Sequence, residues 1–220
     1  MNRSKRAAIF DLDGTLIDSL PDLTVAVNKM LADWQREPLS DAEVGPMVGD
    51  GAGTLVQRAF AARGGLPGPD VTPFLERFLG HYEPHATELT KPWPGVFETL
   101  DHLRANGVSL AVCTNKPTKP THDILTALGL GDYFAVVVGG DDTPALKPSR
   151  AHIDTVLDRL GMEHEDAVMV GDSINDVLAA KAAGIPVVVV SFGYSRVPPL
   201  ELGANLVIDA FSELKRVIVG

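Results

Sequence analysis

The chain has 220 residues, 45% of them hydrophobic and 22% charged, a composition that excludes a mainly disordered protein. Its 29 Asp and Glu outweigh 19 Lys and Arg, and the net charge of −10 speaks against a nucleic-acid binder, which needs a basic face. The single cysteine, Cys113, excludes an intrachain disulfide and a cysteine-built metal cluster.

The start, Met1 to Arg6, is basic, but only Ala7 to Phe10 separate it from Asp11, too short for the ~7–15 apolar residues of a signal peptide. The longest β-branched run, Val187 to Val190, falls far below the ~18 residues of a membrane span. A soluble protein of a reducing cytoplasm is expected, monomer or homodimer, with neither membrane nor nucleic acid as partner.

Ala7–Leu12 reads as a first strand. After it the pattern turns helical. Ser19 reads as the cap of a helix with Asp22 three residues on, and Leu20, Leu23, Val27, Leu31 and Trp34 share one face. Further helices are expected near 51–63, with Leu55, Val56, Ala59 and Phe60 apolar, and near 71–82, with Phe74, Leu75 and Phe78. The aromatic residues here read as the core of a helical unit, and His81 and His85, with Pro84 between them, as solvated or packing residues rather than metal ligands. No strand is expected from 17 to 90, and Lys91 to Gly95 is a turn-rich return point.

From there apolar runs alternate with helical patterns. Strands are expected at Val108–Cys113, Ala135–Val138, Ala167–Val170, Pro186–Val190 and Leu206–Ile208, and helices near 95–106, 118–128, 149–160, 174–183 and 211–219. Gly107, Gly129, Gly161 and Gly184 each sit just past a helix, where a left-handed residue is wanted. The fold class is therefore α/β: a doubly wound, mostly parallel sheet (a Rossmann-like core) with an inserted all-helical cap. The expected division is 1–16 and 91–220 for the core and 17–90 for the cap.

Chemistry gathers at the strand ends. Asp11 and Asp13, two apart, face a common point beyond the first strand, and Gly14 permits the sharp turn that follows. Carboxylates this close repel unless a cation intervenes, and oxygen ligands point to a hard divalent ion. Other strands end at Thr114-Asn115 and at Gly171-Asp172, with Asp176 at the head of the next helix and Lys147 in the intervening loop. In doubly wound sheets ligands bind at this rim. Helix capping accounts for one acid at 172–176 but not for the whole set.

Taken together, Asp11-x-Asp13-Gly14-Thr15, Thr114, Lys147 and Gly171-Asp172-x-x-x-Asp176 resemble the four motifs of the haloacid dehalogenase-like superfamily, in order. Within it, Met47 to Phe60, His81 to Val96, Val112 to Pro117, Met169 to Val188 and Ser191 to Ser195 resemble its bacterial phosphoglycolate phosphatase branch. The resemblance implies a phosphomonoesterase with Mg2+ as cofactor and a small anionic phosphate ester, 2-phosphoglycolate, as substrate. It implies Asp11 as nucleophile forming an aspartyl-phosphate, and Asp13 as general acid and then base. Thr114 and the Asn115 backbone would hold a phosphoryl oxygen, and Lys147 would neutralise charge on Asp11 and the phosphoryl group. Asp11, the Asp13 carbonyl and Asp172 would hold the metal, with Asp176 orienting them. Gly49, in Gly49-Asp50-Gly51, would reach over the site and read the substrate, or else form a plain helix entry. Lys116 and Lys119 would stand near the entrance.

The chain departs from the family after Lys147, where Pro148-Ser149-Arg150 lacks the usual second proline, and after Tyr194, where Ser195-Arg196-Val197-Pro198-Pro199 replaces an Asn and a Gly. Competing readings are the same chemistry on a sugar phosphate, nucleotide or pyrophosphate, a signalling module that accepts a phosphoryl group, and a silent scaffold. The full set of reactive residues argues against the last.

Overall fold

The computed structural model describes residues 6–220, so Met1–Lys5, which belong to the basic start and the expected core segment, lie outside the described residues. In chain order the first elements are β1 (Ala7–Phe10), β2 (Ile17–Asp18), α1 (Leu20–Asp33), α2 (Asp41–Val44), α3 (Ala52–Ala61) and α4 (Thr72–Tyr82). They are followed by β3 (Lys91–Pro92), α5 (Val96–Ala105), β4 (Ser109–Cys113), α6 (Thr118–Ala127), β5 (Val136–Val138) and α7 (Arg150–Leu160). The chain ends with β6 (Ala167–Gly171), α8 (Ile174–Ala183), β7 (Val187–Val190), β8 (Leu206–Ile208) and α9 (Leu214–Val219).

Six strands form one sheet in the order β5-β4-β1-β6-β7-β8, and every pairing in it is parallel. Strands β1, β6 and β7 are buried throughout, which is why their sequences are apolar on both faces: helices cover both sides. One face packs Phe10, Val112, Val170 and Phe211, and the other packs Ile9, Ala111, Met169 and Val177. The four helix-terminal glycines all adopt positive φ, between 63° and 75°.

The register positions the site. Phe10 pairs with Val112 on one side and Val170 on the other, so β1, β4 and β6 end level. Strand order reverses about β1, and a crevice opens there beyond the carboxyl ends.

Helices α1, α3 and α4 pack together over that rim. Their centre is an edge-on aromatic group, Trp34, Phe60 and Phe74, with ring centroids 4.8 to 5.8 Å apart, each such pair adding about 0.5–1.5 kcal/mol beyond burial. Trp34, Phe60 and Phe74 are packing, as expected, whereas Phe78, also expected in the core, is buried but lines a cavity between the helices and the rim.

Two local expectations are corrected. The stretch 17–90 was expected to hold no strand, yet β2 pairs with β3 antiparallel, Ile17 opposite Pro92 and Asp18 opposite Lys91. The two connections run side by side, and pairing satisfies backbone groups that would otherwise be left between layers. Ser19 does not cap α1 with its side chain. Its hydroxyl donates to Asp13 Oδ1 at 2.6 Å, a tertiary acceptor that outcompetes the helix end. Asp22 faces the second connection, where its carboxylate accepts from the N–H groups of Leu89 and Thr90 and from the Thr90 hydroxyl at 2.7 to 3.1 Å.

Candidate active site

Asp11 follows β1 directly, its N–H donating to the Val170 carbonyl at 2.9 Å. The chain then turns back through Leu12, whose carbonyl accepts from the N–H groups of Thr15, Leu16 and Ile17. Gly14 stands in this turn at φ +82°, and a Cβ there would lie 2.5 Å from an Asp172 carboxylate oxygen. A side chain at 14 is thus excluded both by backbone conformation and by the approach of Asp172.

Lys147 reaches the same point from the loop before α7. Its ammonium lies 2.9 Å from Asp11 Oδ1 and donates to Asp176 Oδ1 and the Cys113 carbonyl, both at 2.7 Å. Three acceptors occupy the three N–H bonds, which fixes the ammonium. Its backbone is held too, because Asn115 Oδ1 accepts from Lys147 N–H at 2.8 Å while Asn115 Nδ2 donates to the Lys147 carbonyl at 3.0 Å.

Asp172 emerges one residue past β6. It accepts from the Tyr194 N–H at 2.7 Å and from the Thr15 hydroxyl at 3.3 Å. Asp176 Oδ2 accepts from the N–H groups of Asp172 and Ser173 and from the Ser173 hydroxyl, at 2.7 to 3.2 Å. Asp176 thus accepts four bonds within the protein, whereas each Asp172 oxygen accepts one, which leaves acceptor capacity on Asp172.

Oxygen atoms of Asp11, Asp172 and Asp176 all fall within 4.8 Å of one another, and all three residues are buried. Three carboxylates against one ammonium leave an excess of two negative charges in a desolvated place. Burial accordingly raises Asp11 from 3.8 to about 6 against the opposing pull of Lys147. Asp172 is pushed well above the ordinary range by burial, and further by the charges of Asp176 and Asp11. Hard oxygen donors carrying an uncompensated charge of this sign fit a divalent metal ion.

Asp13 lines the same crevice as Asp11, and its carboxylate is held from the side of the helices and the loop after β4. Its Oδ1 accepts from Ser19 and its Oδ2 lies 3.0 Å from Lys116 Nζ. Lys116 in turn donates to the Tyr82 hydroxyl at 3.0 Å, so the loop after β4 reaches α4. The charge of Asp13 raises the Lys116 ammonium above its ordinary value although burial opposes it.

Between rim and helices lies a chamber of about 70 Å³ lined by Asp11, Asp13, Thr114, Asn115 and Lys116 below and by Leu55, Phe78 and Tyr82 above. Gly49 lines it as well, and its carbonyl accepts from Asn115 Nδ2 at 2.9 Å and Asn175 Nδ2 at 3.2 Å. Asp50 beside it meets Asn175 Nδ2 and Arg58 at 2.5 Å, and also Arg196, which bonds the Pro46 carbonyl as well. The departure at 195–199 thus supplies a bridge from the sheet's loops to the helices.

Of the residues singled out in the sequence, Asp11, Asp13, Thr114, Asn115 and Gly49 line the chamber, while Lys147, Asp172 and Asp176 form the buried network next to Asp11. Lys119 instead pairs with Asp123 on the surface, and His81 and His85 bond Asp33 and Glu88 separately. Sequence reasoning missed Ser19, Tyr82, Asn175 and Tyr194 as site residues. Tyr194 lay in a stretch that carried the resemblance, the one available signal for it.

The family model for haloacid dehalogenase-like hydrolase matches residues 8–190. Among curated proteins the chain is 50% identical to a phosphoglycolate phosphatase of Rhodospirillum rubrum, over 95% of this chain and 89% of that protein. It is 43% identical to a phosphoglycolate phosphatase of Agrobacterium fabrum, over 94% and 89% respectively. Among solved structures, that of a predicted phosphoglycolate phosphatase from Haemophilus somnus superposes with a TM-score of 0.93 at 34% identity, covering 99% of each chain.

Proposed function

The chain belongs to the haloacid dehalogenase-like hydrolases, and we propose that it is a magnesium-dependent phosphatase hydrolysing 2-phosphoglycolate to glycolate and phosphate. The observation that carries the reading is the pairing of Asp11, one oxygen of which is held by Lys147, with Asp13 on the floor of a small chamber beneath the helices. Relatives at 42–50% identity over more than nine-tenths of the chain bear that enzyme's name, which supports the substrate.

In this mechanism a carboxylate oxygen of Asp11 attacks phosphorus and forms an aspartyl-phosphate, dividing one slow displacement into two faster ones. Asp13 gives its proton to the departing glycolate oxygen and then takes one from the water that opens the acyl phosphate. Ser19 and Lys116 fix the Asp13 carboxyl for both transfers. The Thr114 hydroxyl and the Asn115 N–H hold a phosphoryl oxygen. Lys147, locked by three acceptors, lowers the cost of bringing a phosphoryl dianion against Asp11. Asp11, the Asp13 carbonyl and Asp172 would hold Mg2+, and Asp176 orients Lys147 and the 172–173 turn. The ion supplies charge neutralisation of the phosphoryl oxygens when bound.

The division into a core of 1–16 and 91–220 and a cap of 17–90 belongs to the same proposal. It is supported by the β2–β3 ribbon, where both connections cross together. Among the described residues no helix is long and apolar enough to cross a membrane, and the lone Cys113 is free and buried, which suits a cytoplasmic enzyme.

A substrate panel with magnesium present tests the reading. The expected kcat/KM for 2-phosphoglycolate exceeds those for sugar phosphates, nucleotides and pyrophosphate by at least about tenfold, roughly 1.4 kcal/mol of transition-state discrimination. A higher value for any of those others would replace the substrate.

A further inference from the structure

We infer that Lys116 recognises the carboxylate of the leaving group and so selects small monoesters with a second anion close to the ester oxygen. The inference rests on the phosphatase reading and deepens it to the residue that chooses the substrate.

Among the described residues, Lys116 is the only Lys or Arg that lines the chamber. Lys147 has all three N–H bonds engaged below it. Arg58, on α3, and Arg196, in the loop after β7, both turn to Asp50. Lys116 by contrast uses two N–H bonds, toward Asp13 Oδ2 and the Tyr82 hydroxyl, each at 3.0 Å. An ammonium has three, so one remains for a ligand.

The surroundings sharpen the point. The Lys116 side chain is only 9% exposed, and Leu23, Val48, Leu55 and Phe78 supply an apolar wall. A carboxylate entering such a place is strongly disfavoured unless it meets a charge-assisted hydrogen bond. The chemistry also fixes the side of the chamber. Asp13 protonates the ester oxygen, and in glycolate a single methylene separates that oxygen from the carboxylate. A cation in contact with Asp13 therefore stands where the second anion arrives. At about 70 Å³ the chamber is far below the ~300–1,000 Å³ that houses drug-sized ligands, which suits a leaving group of this size. Tyr82 keeps the ammonium turned inward, through its hydroxyl and through its ring, whose centroid is 4.8 Å from Nζ.

The test compares 2-phosphoglycolate with 2-hydroxyethyl phosphate, which has the same ester and no carboxylate, in the full-length enzyme with magnesium. The readout is the ratio of the two kcat/KM values. A purely structural Lys116 would alter both and leave the ratio alone. In Lys116→Gln the ratio is expected to fall at least about thirtyfold, with most of the fall in KM, and Lys116→Arg to recover part of it. An unchanged ratio in a variant of an enzyme that does prefer phosphoglycolate overturns the role of Lys116 and leaves the substrate reading standing. A wild-type enzyme with no preference between the two esters overturns the substrate reading and this inference together. Should Lys116→Gln fail to fold, Tyr82→Phe decides: a several-fold drop in the same ratio supports the inference, and no drop overturns it.

Discussion

At the carboxyl rim of the sheet, Asp11, Asp172 and Asp176 crowd around one lysine with almost no access to water. On the outer face of the helical layer, Asp33 meets Arg77 at 2.5 Å and His81 at 2.8 Å in the open. The same residue type is displaced in opposite directions. Burial drives Asp11 up to about 6, whereas hydrogen bonds from Arg77 and His81 bring Asp33 down to about 2. The rim holds its charges at a cost to stability, and that stored charge is what a phosphoryl group and a cation can use. The helical layer carries no such burden. Its acids have direct partners: Asp33 meets Arg77 and His81, Asp50 meets Arg58 and Arg196, and buried Asp22 accepts from Leu89 and Thr90, while Trp34, Phe60 and Phe74 pack its centre.

The largest break in this contrast is Lys147→Ala. It leaves Asp11 and Asp176 buried without their cation, and a loss of about 3–5 kcal/mol is expected from urea midpoints in the absence of magnesium. A loss under about 1 kcal/mol would place Lys147 with the surface pairs. A smaller effect separates the two regions by pH. Between 3.8 and about 6 the folded protein keeps a proton on Asp11 that the unfolded chain has released, so stability without magnesium falls as pH rises through that window. Asp33 has the opposite sign: its contribution is present above 3.8 and fades as pH falls toward about 2. Midpoints measured across pH should show Asp11→Asn removing part of the decline up to about 6. Asp33→Asn should change only the acid end, by no more than about 1 kcal/mol given its exposure. Equal slopes in wild type and Asp11→Asn would contradict the burden assigned to the rim.

The contrast also explains what could be read from the chain beforehand. Asp11, Thr114 and Asp172 each follow a strand whose apolar run marks its own end, and parallel register aligns those ends without further information. The acid pair and the lone loop lysine were therefore visible as a site. What stayed hidden depends on partners distant in sequence. Ser19 looks locally like a helix cap, yet its acceptor is Asp13. Strands β2 and β3 have two residues each, too few for any periodicity to register. Lys116 and Tyr82 meet across 34 positions, and Tyr194 reaches Asp18 across 176. Arg196 sat in a departure from the family pattern, so only the fold could reveal that it grips Asp50 and the Pro46 carbonyl.

The central claim, that Asp11 takes the phosphoryl group from substrate, is tested most directly by trapping. Enzyme mixed with phosphate-labelled 2-phosphoglycolate is quenched in acid, digested and mapped. The account predicts hydroxylamine-sensitive label on the peptide containing Asp11, and neither label nor measurable turnover in a folded Asp11→Asn variant. Near-normal phosphate release by that variant, or label carried on another residue, would contradict it.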